Sequence, residues 1–168
     1  ALTGQELHVV YRERLFEPLG LQDTYLTYRE LPEYGGTESH RYELHWDMHG
    51  KVHNSADWAV GGLVRSTRDL AAFLGALARR DLFLDPALAD QMEDFIATGQ
   101  FGVRYGLGLF WTVLPDELGS MWGHDGYGNS WMYYWGEEQV LFTGTLNQTE
   151  ADWWPLVVAA THQIDAAR

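Results

Sequence analysis

The spacing of apolar residues in this 168-residue chain changes period near Gly99, and that change constrains the fold more than any other feature. Upstream of it, Leu70, Phe73, Leu74 and Leu77 recur at i, i+3, i+4 and i+7 behind Ser66-Thr67-Arg68-Asp69, the spacing and start signal of an amphipathic helix. Asp85-Pro86 supplies the cap and first-turn proline of a further helix, carried by Leu88, Met92 and Phe95. An earlier helix is expected behind Thr3-Gly4-Gln5-Glu6, read as a capping box with Thr3 as N-cap. It presents Leu7, Val10, Tyr11 and Leu15, and Pro18 and Gly20 end it. Downstream of Gly99 the period is two. Tyr105, Leu107, Leu109, Trp111 and Val113 alternate with Gly106, Gly108, Phe110 and Thr112, which predicts one strand. Further strands are predicted from about 121 to 127, 130 to 135 and 140 to 146, joined by turns at Pro115–Gly119 and Gly136–Glu138. Connections this short make neighbours antiparallel. A closing helix from about Asp152 carries Trp154, Val157, Val158, Thr161 and Ile164, with Pro155 in its first turn. The expected fold class is α+β. Residues 1–100 form a mostly helical part with a long loop at 24–58 that lines a cleft, and 101–168 form a three- or four-stranded meander plus helix.

Charge narrows the partners. Eleven basic against 24 acidic residues leave a net charge of −13, which repels a phosphate backbone or an anionic membrane. Nucleic acid is therefore excluded, and no stretch approaches the roughly 20 apolar residues of a membrane-spanning helix. The absence of cysteine fits several compartments, so localisation stays open. The chain opens at Ala1 inside a helix-start pattern, which points to a piece of a longer parent.

Several segments share the order and spacing of one family. Pro18-Leu19-Gly20-Leu21 with Asp23-Thr24, Gly61-Gly62-Leu63 with Ser66-Thr67-Arg68-Asp69-Leu70, Tyr105-Gly106-Leu107-Gly108-Leu109 and Gly123-His124-Asp125-Gly126 together resemble the C-terminal half of serine β-lactamase-like hydrolases. The relevant branch holds class C β-lactamases, D-alanyl-D-alanine carboxypeptidases, D-amino-acid peptidases and esterases. The resemblance implies a β-lactamase/penicillin-binding-protein-like fold, incomplete here, and acyl-enzyme chemistry on ester or amide bonds without a cofactor or metal. Such enzymes use a serine from S-x-x-K, a tyrosine from Y-x-N and a third element, K-T-G or H-x-G, on a sheet strand.

The first two elements are not found in working positions. Ser39, Ser55, Ser66, Ser120 and Ser130 are followed three places on by Tyr42, Trp58, Asp69, Gly123 and Tyr133, and the one lysine, Lys51, follows no such serine. Tyr127-Gly128-Asn129 is a Y-x-N by spelling, but it sits directly after the third element rather than far upstream, and is read as coincidence. The third element is His124-Asp125-Gly126. The resemblance makes His124 a cation or proton shuttle beside the nucleophile and Gly126 the point where substrate lies along the strand. The Tyr127 N–H becomes an oxyanion-hole donor. Asp125 is assigned to substrate binding. It stands where β-lactamases carry a threonine that helps hold a carboxylate, which implies a preference for neutral or cationic leaving groups.

Simpler readings stand beside these. His124 also fits a hydrogen-bonded histidine in a glycine-rich strand, and the whole chain a non-catalytic binding or structural module of the same fold. His45, His49 and His53 recur every fourth residue, but Gly50 interrupts them and a loop is expected instead of a metal site. Trp131, Tyr133 and Trp135, alternating with Met132 and Tyr134, are expected to be core on both faces of a covered sheet. Expected partners are a small ester, amide or peptide substrate, and the N-terminal half of the parent fold or a second copy of this chain to cover the sheet edge.

Overall fold

The computed structural model describes residues 3–30, 37–49 and 57–168. Its centre is a six-stranded antiparallel sheet in the order β10-β9-β8-β7-β6-β5. The strands are β5 (Ile96–Ala97), β6 (Val103–Tyr105), β7 (Phe110–Val113), β8 (Ser120–Asp125), β9 (Ser130–Trp135) and β10 (Val140–Thr145). Two helices cover it. Helix α4 (Thr67–Ala78) lays Leu70, Phe73 and Leu74 on Met132, Trp122 and Tyr134, while α6 (Trp154–Ala166) and the preceding Trp153 lie against Met121, Trp131, Tyr133 and Trp135 on the opposite face. Trp153 stacks on Trp131 and Tyr133 with ring centroids 5.6 and 5.0 Å apart. The aromatic alternation of β9 is thus core on both sides, as its period of two requires.

The smaller elements hang on this frame. Short α1 (Leu7–Tyr11), a π-helical turn at Arg12–Phe16 and α2 (Glu17–Leu19) run as one rod that ends at Gly20, whose φ of 66° only glycine adopts without strain. β1 (Tyr25–Leu26) pairs with β4 (Leu63–Val64), and β2 (Tyr42–Glu43) with β3 (Trp46–Asp47). Helices α3 (Asp57–Gly61) and α5 (Pro86–Met92) complete the set.

The start signals of α4 and α5 work as the sequence predicts: Ser66 Oγ accepts from the Asp69 N–H and Asp85 from the Ala87 N–H. Three expectations are corrected. Thr3 does not cap the first helix; Glu6 is the N-cap, and Thr3 Oγ1 accepts from the Gln5 N–H one turn too early. The period-two run 105–113 is two strands, because Gly106 N–H bonds back to the Leu109 carbonyl and Gly108 takes a φ of 77°. The sheet has six strands instead of three or four, since that hairpin and the two-residue β5, which precedes residue 101, both join it. Of the 24–58 loop, residues 31–36 and 50–56, including Lys51 and His53, lie outside the described residues.

Candidate active site

Strand β8 places the predicted motif at one end of the sheet. Trp122 packs into the α4-side cluster and Met121 into the α6-side cluster, and at the strand end the His124 ring lies against Phe110, which packs with the α6-side cluster. His124 is half-buried and held at both ring nitrogens. Nδ1 lies 2.6 Å from the Asp125 carbonyl oxygen and Nε2 lies 3.2 Å from the Tyr105 hydroxyl. The Phe110 ring lies 4.9 Å from the imidazole and packs edge-on against Tyr105.

The Asp125 carboxylate is engaged by the Tyr133 hydroxyl, which donates to Oδ1 at 2.9 Å. Burial first, and the neighbouring Asp125 charge second, push the Tyr133 phenol far above its usual range, so it stays a donor. The Asp125 side chain is thus held by Tyr133, while His124 meets the Asp125 backbone carbonyl.

Beyond Asp125 the chain turns. Gly126 N–H donates to the Ser130 carbonyl at 2.7 Å, Asn129 N–H donates to the Gly126 carbonyl at 3.0 Å, and Asn129 takes a left-handed φ of 55°. The Asn129 amide then reaches the carbonyls of Gln148, Thr149 and Ala151, fixing this turn to the segment after β10. Asn129 in the apparent Y-x-N is accordingly a clasp. Tyr127 projects from the turn with 76% of its surface exposed, and its N–H has no acceptor among the described residues.

One further contributor had no signal in the sequence. The β2–β3 hairpin docks on the same segment: Tyr42 N–H donates to the Asn147 carbonyl, Thr149 N–H to the Tyr42 carbonyl, and Leu44 N–H to Glu150. This carries the Arg41 guanidinium over the Tyr127 ring at 5.8 Å and its Cδ against Gly128, where a Cβ would stand 2.9 Å away. The hairpin also accounts for two histidines weighed as ligands. His49 stacks on His40 at 4.2 Å, with His40 Nδ1 2.6 Å from Asp47, and the His49 N–H and His40 together hold the Asp47 carboxyl below its usual range. His45 lies against Trp46.

An antiparallel sheet covered on both faces by helices, with a His-x-Gly element ending a central strand, defines an α+β fold of the β-lactamase and penicillin-binding-protein kind. The Beta-lactamase family profile matches residues 1–160, and the chain belongs to that family. D-amino acid amidase from Ochrobactrum anthropi SV3, solved with D-phenylalanine, is 23% identical over 99% of this chain and 54% of its own, with a TM-score of 0.68. Penicillin binding protein from Bacillus halodurans is 13% identical over 96% of this chain and 51% of its own, with a TM-score of 0.67. The chain thus spans about half the length of these structures. No helix among the described residues is long and apolar enough to cross a membrane.

Proposed function

We propose that this chain forms the sheet-side wall of the active site of a serine hydrolase that cleaves ester or amide bonds through an acyl-enzyme, in the manner of an esterase, a D-amino-acid amidase or a DD-peptidase. The observation that carries the reading is the end of β8, where His124 is held at both ring nitrogens, Gly126 lies exposed, and the following Tyr127 N–H is free to donate among the described residues. A backbone N–H aimed from a rigid turn is the donor an acyl-transfer oxyanion needs, because it costs no reorganisation when charge develops. The nucleophile and general base come from residues outside this sequence, since no serine here has a lysine three places on. Asp125 influences substrate through its field, its carboxylate being held by Tyr133, and disfavours an anionic leaving group.

The test is turnover of a short acyl ester, a D-amino-acid amide and a β-lactam by the full-length parent. Ester or amide turnover is expected, with His124→Ala reducing kcat by about 100-fold or more. Failure of the parent to react with a fluorophosphonate probe, or full activity in His124→Ala, overturns the proposal. β-Lactam turnover equal to that of the ester overturns the leaving-group preference.

A further inference from the structure

The hydrogen bonds around His124 determine its protonation pattern. A carbonyl oxygen can only accept, so the 2.6 Å contact to Asp125 requires the proton on Nδ1. Neutral imidazole carries one N–H, which leaves Nε2 as the acceptor and makes the Tyr105 hydroxyl the donor across 3.2 Å. Phe110 closes the remaining freedom by packing on both rings.

We infer that Tyr105 is a positioning residue of this site, whose hydroxyl holds His124 oriented in its Nδ1–H form with Nε2 as the sole proton-accepting atom. The consequence is chemical. With Nδ1 already protonated and committed to a carbonyl, a proton can enter the ring only at Nε2, so acid–base work by His124 runs through the atom that Tyr105 holds. Once Nε2 gains that proton it donates back to the Tyr105 oxygen, which has lone pairs to accept, and the contact survives the change of charge. Tyr105 occupies the last position of β6, its partner Phe110 on β7 pairs in turn with Gly123, and from there the Tyr105 hydroxyl reaches the ring of the next residue, His124.

The catalytic part of this inference rests on the proposed function; the hydrogen-bond part does not, and the experiment separates them. Nitrogen NMR of the full-length parent labelled with ¹⁵N in its histidine rings, with His124 assigned by its loss in His124→Gln, reads the wild type directly. The expected spectrum has a protonated-type Nδ1 and an unprotonated, hydrogen-bonded Nε2. Tyr105→Phe, which removes one oxygen and keeps the ring, should move the Nε2 signal toward that of a water-exposed imidazole. In the same variant kcat should fall about tenfold with KM unchanged, a typical cost of losing a partner that orients a functional histidine. A wild-type Nε2–H form, unmoved ring signals in Tyr105→Phe, or moved signals with undiminished kcat would each overturn the positioning role. If the ring signals behave as expected but His124→Ala keeps full activity, the hydrolase reading fails and the Tyr105 contact stands.

Discussion

Asp69 shows how single residues tie the sequence motifs together. Its carboxylate is 4% exposed and accepts from the Asp23 N–H at 2.8 Å and from the Thr24 hydroxyl at 2.7 Å, while its own N–H is capped by Ser66. Two separated segments that carried the family resemblance, Asp23-Thr24 and Ser66–Asp69, are therefore one hydrogen-bonded joint. Asp69→Ala strands two donors, one of them buried, and should cost about 2–3 kcal/mol. Asp69→Asn, which keeps the shape, should cost less. Denaturant midpoints with unchanged slopes measure both. Tyr133 makes a second residue-scale prediction with a definite sign. Its phenol is raised in the folded state, so below the ordinary phenol pKa of about 10 it is protonated folded or unfolded and contributes constant stability. Above about 10 only the unfolded chain releases the proton, and stability falls by up to about 1.4 kcal/mol per pH unit. Tyr133→Phe should remove that part of the alkaline loss, measured as the difference between the two pH–stability curves.

At the scale of elements, β9, β10, α4, α5 and α6 were legible because period, caps and turn residues agree locally. The run 105–113 was not, since Gly106 and Gly108 fit the alternation while serving as a turn. A Cβ at Gly106 would stand 2.1 Å from the Met92 carbonyl, a constraint that only tertiary structure reveals. Of the candidate site, the His124-Asp125-Gly126 spelling and its place near a strand end were readable in the chain, but the partners of the two side chains, Tyr105 for His124 and Tyr133 for Asp125, needed the sheet. The contacts of Tyr105 and Arg41 needed register and loop docking. Glycine substitution separates frame from site. At Gly123 a Cβ would meet the Met132 carbonyl at 1.9 Å and Tyr133 Cα at 2.7 Å, both backbone atoms in the β8–β9 ladder. Gly123→Ala should therefore cost about 3 kcal/mol. At Gly126 the nearest atom is the rotatable Ser130 Oγ at 2.8 Å, so Gly126→Ala should cost about 0.5 kcal/mol and yet lower turnover by crowding the substrate's path. Thermal melts beside kcat/KM decide this: loss of both properties together in Gly126→Ala would make that glycine part of the frame.

For the whole molecule, the decisive surface is the outer edge of β10. Among the described residues no strand lies beyond it, and its six residues, Val140 to Thr145, contain no charge and no proline. Natural sheets blunt such an edge with lysine, proline or a bulge, or cover it; none of the first three is present within β10. A cover is therefore expected, and the proposed N-terminal half of the parent is the partner of matching kind, since the chain spans only about half of the structures it resembles. Net charge opposes the alternative of self-pairing: each copy carries −13, and two copies repel at low salt. At about 0.15 M ionic strength the screening length falls to about 8 Å, short enough to let edges meet. The chain produced alone should accordingly be more monomeric in dilute buffer and associate as salt and concentration rise, by light scattering after size exclusion. Co-production with the N-terminal half should give a 1:1 complex whose size no longer depends on salt. A lone chain that stays monomeric at every salt concentration would show that the β10 edge needs no cover.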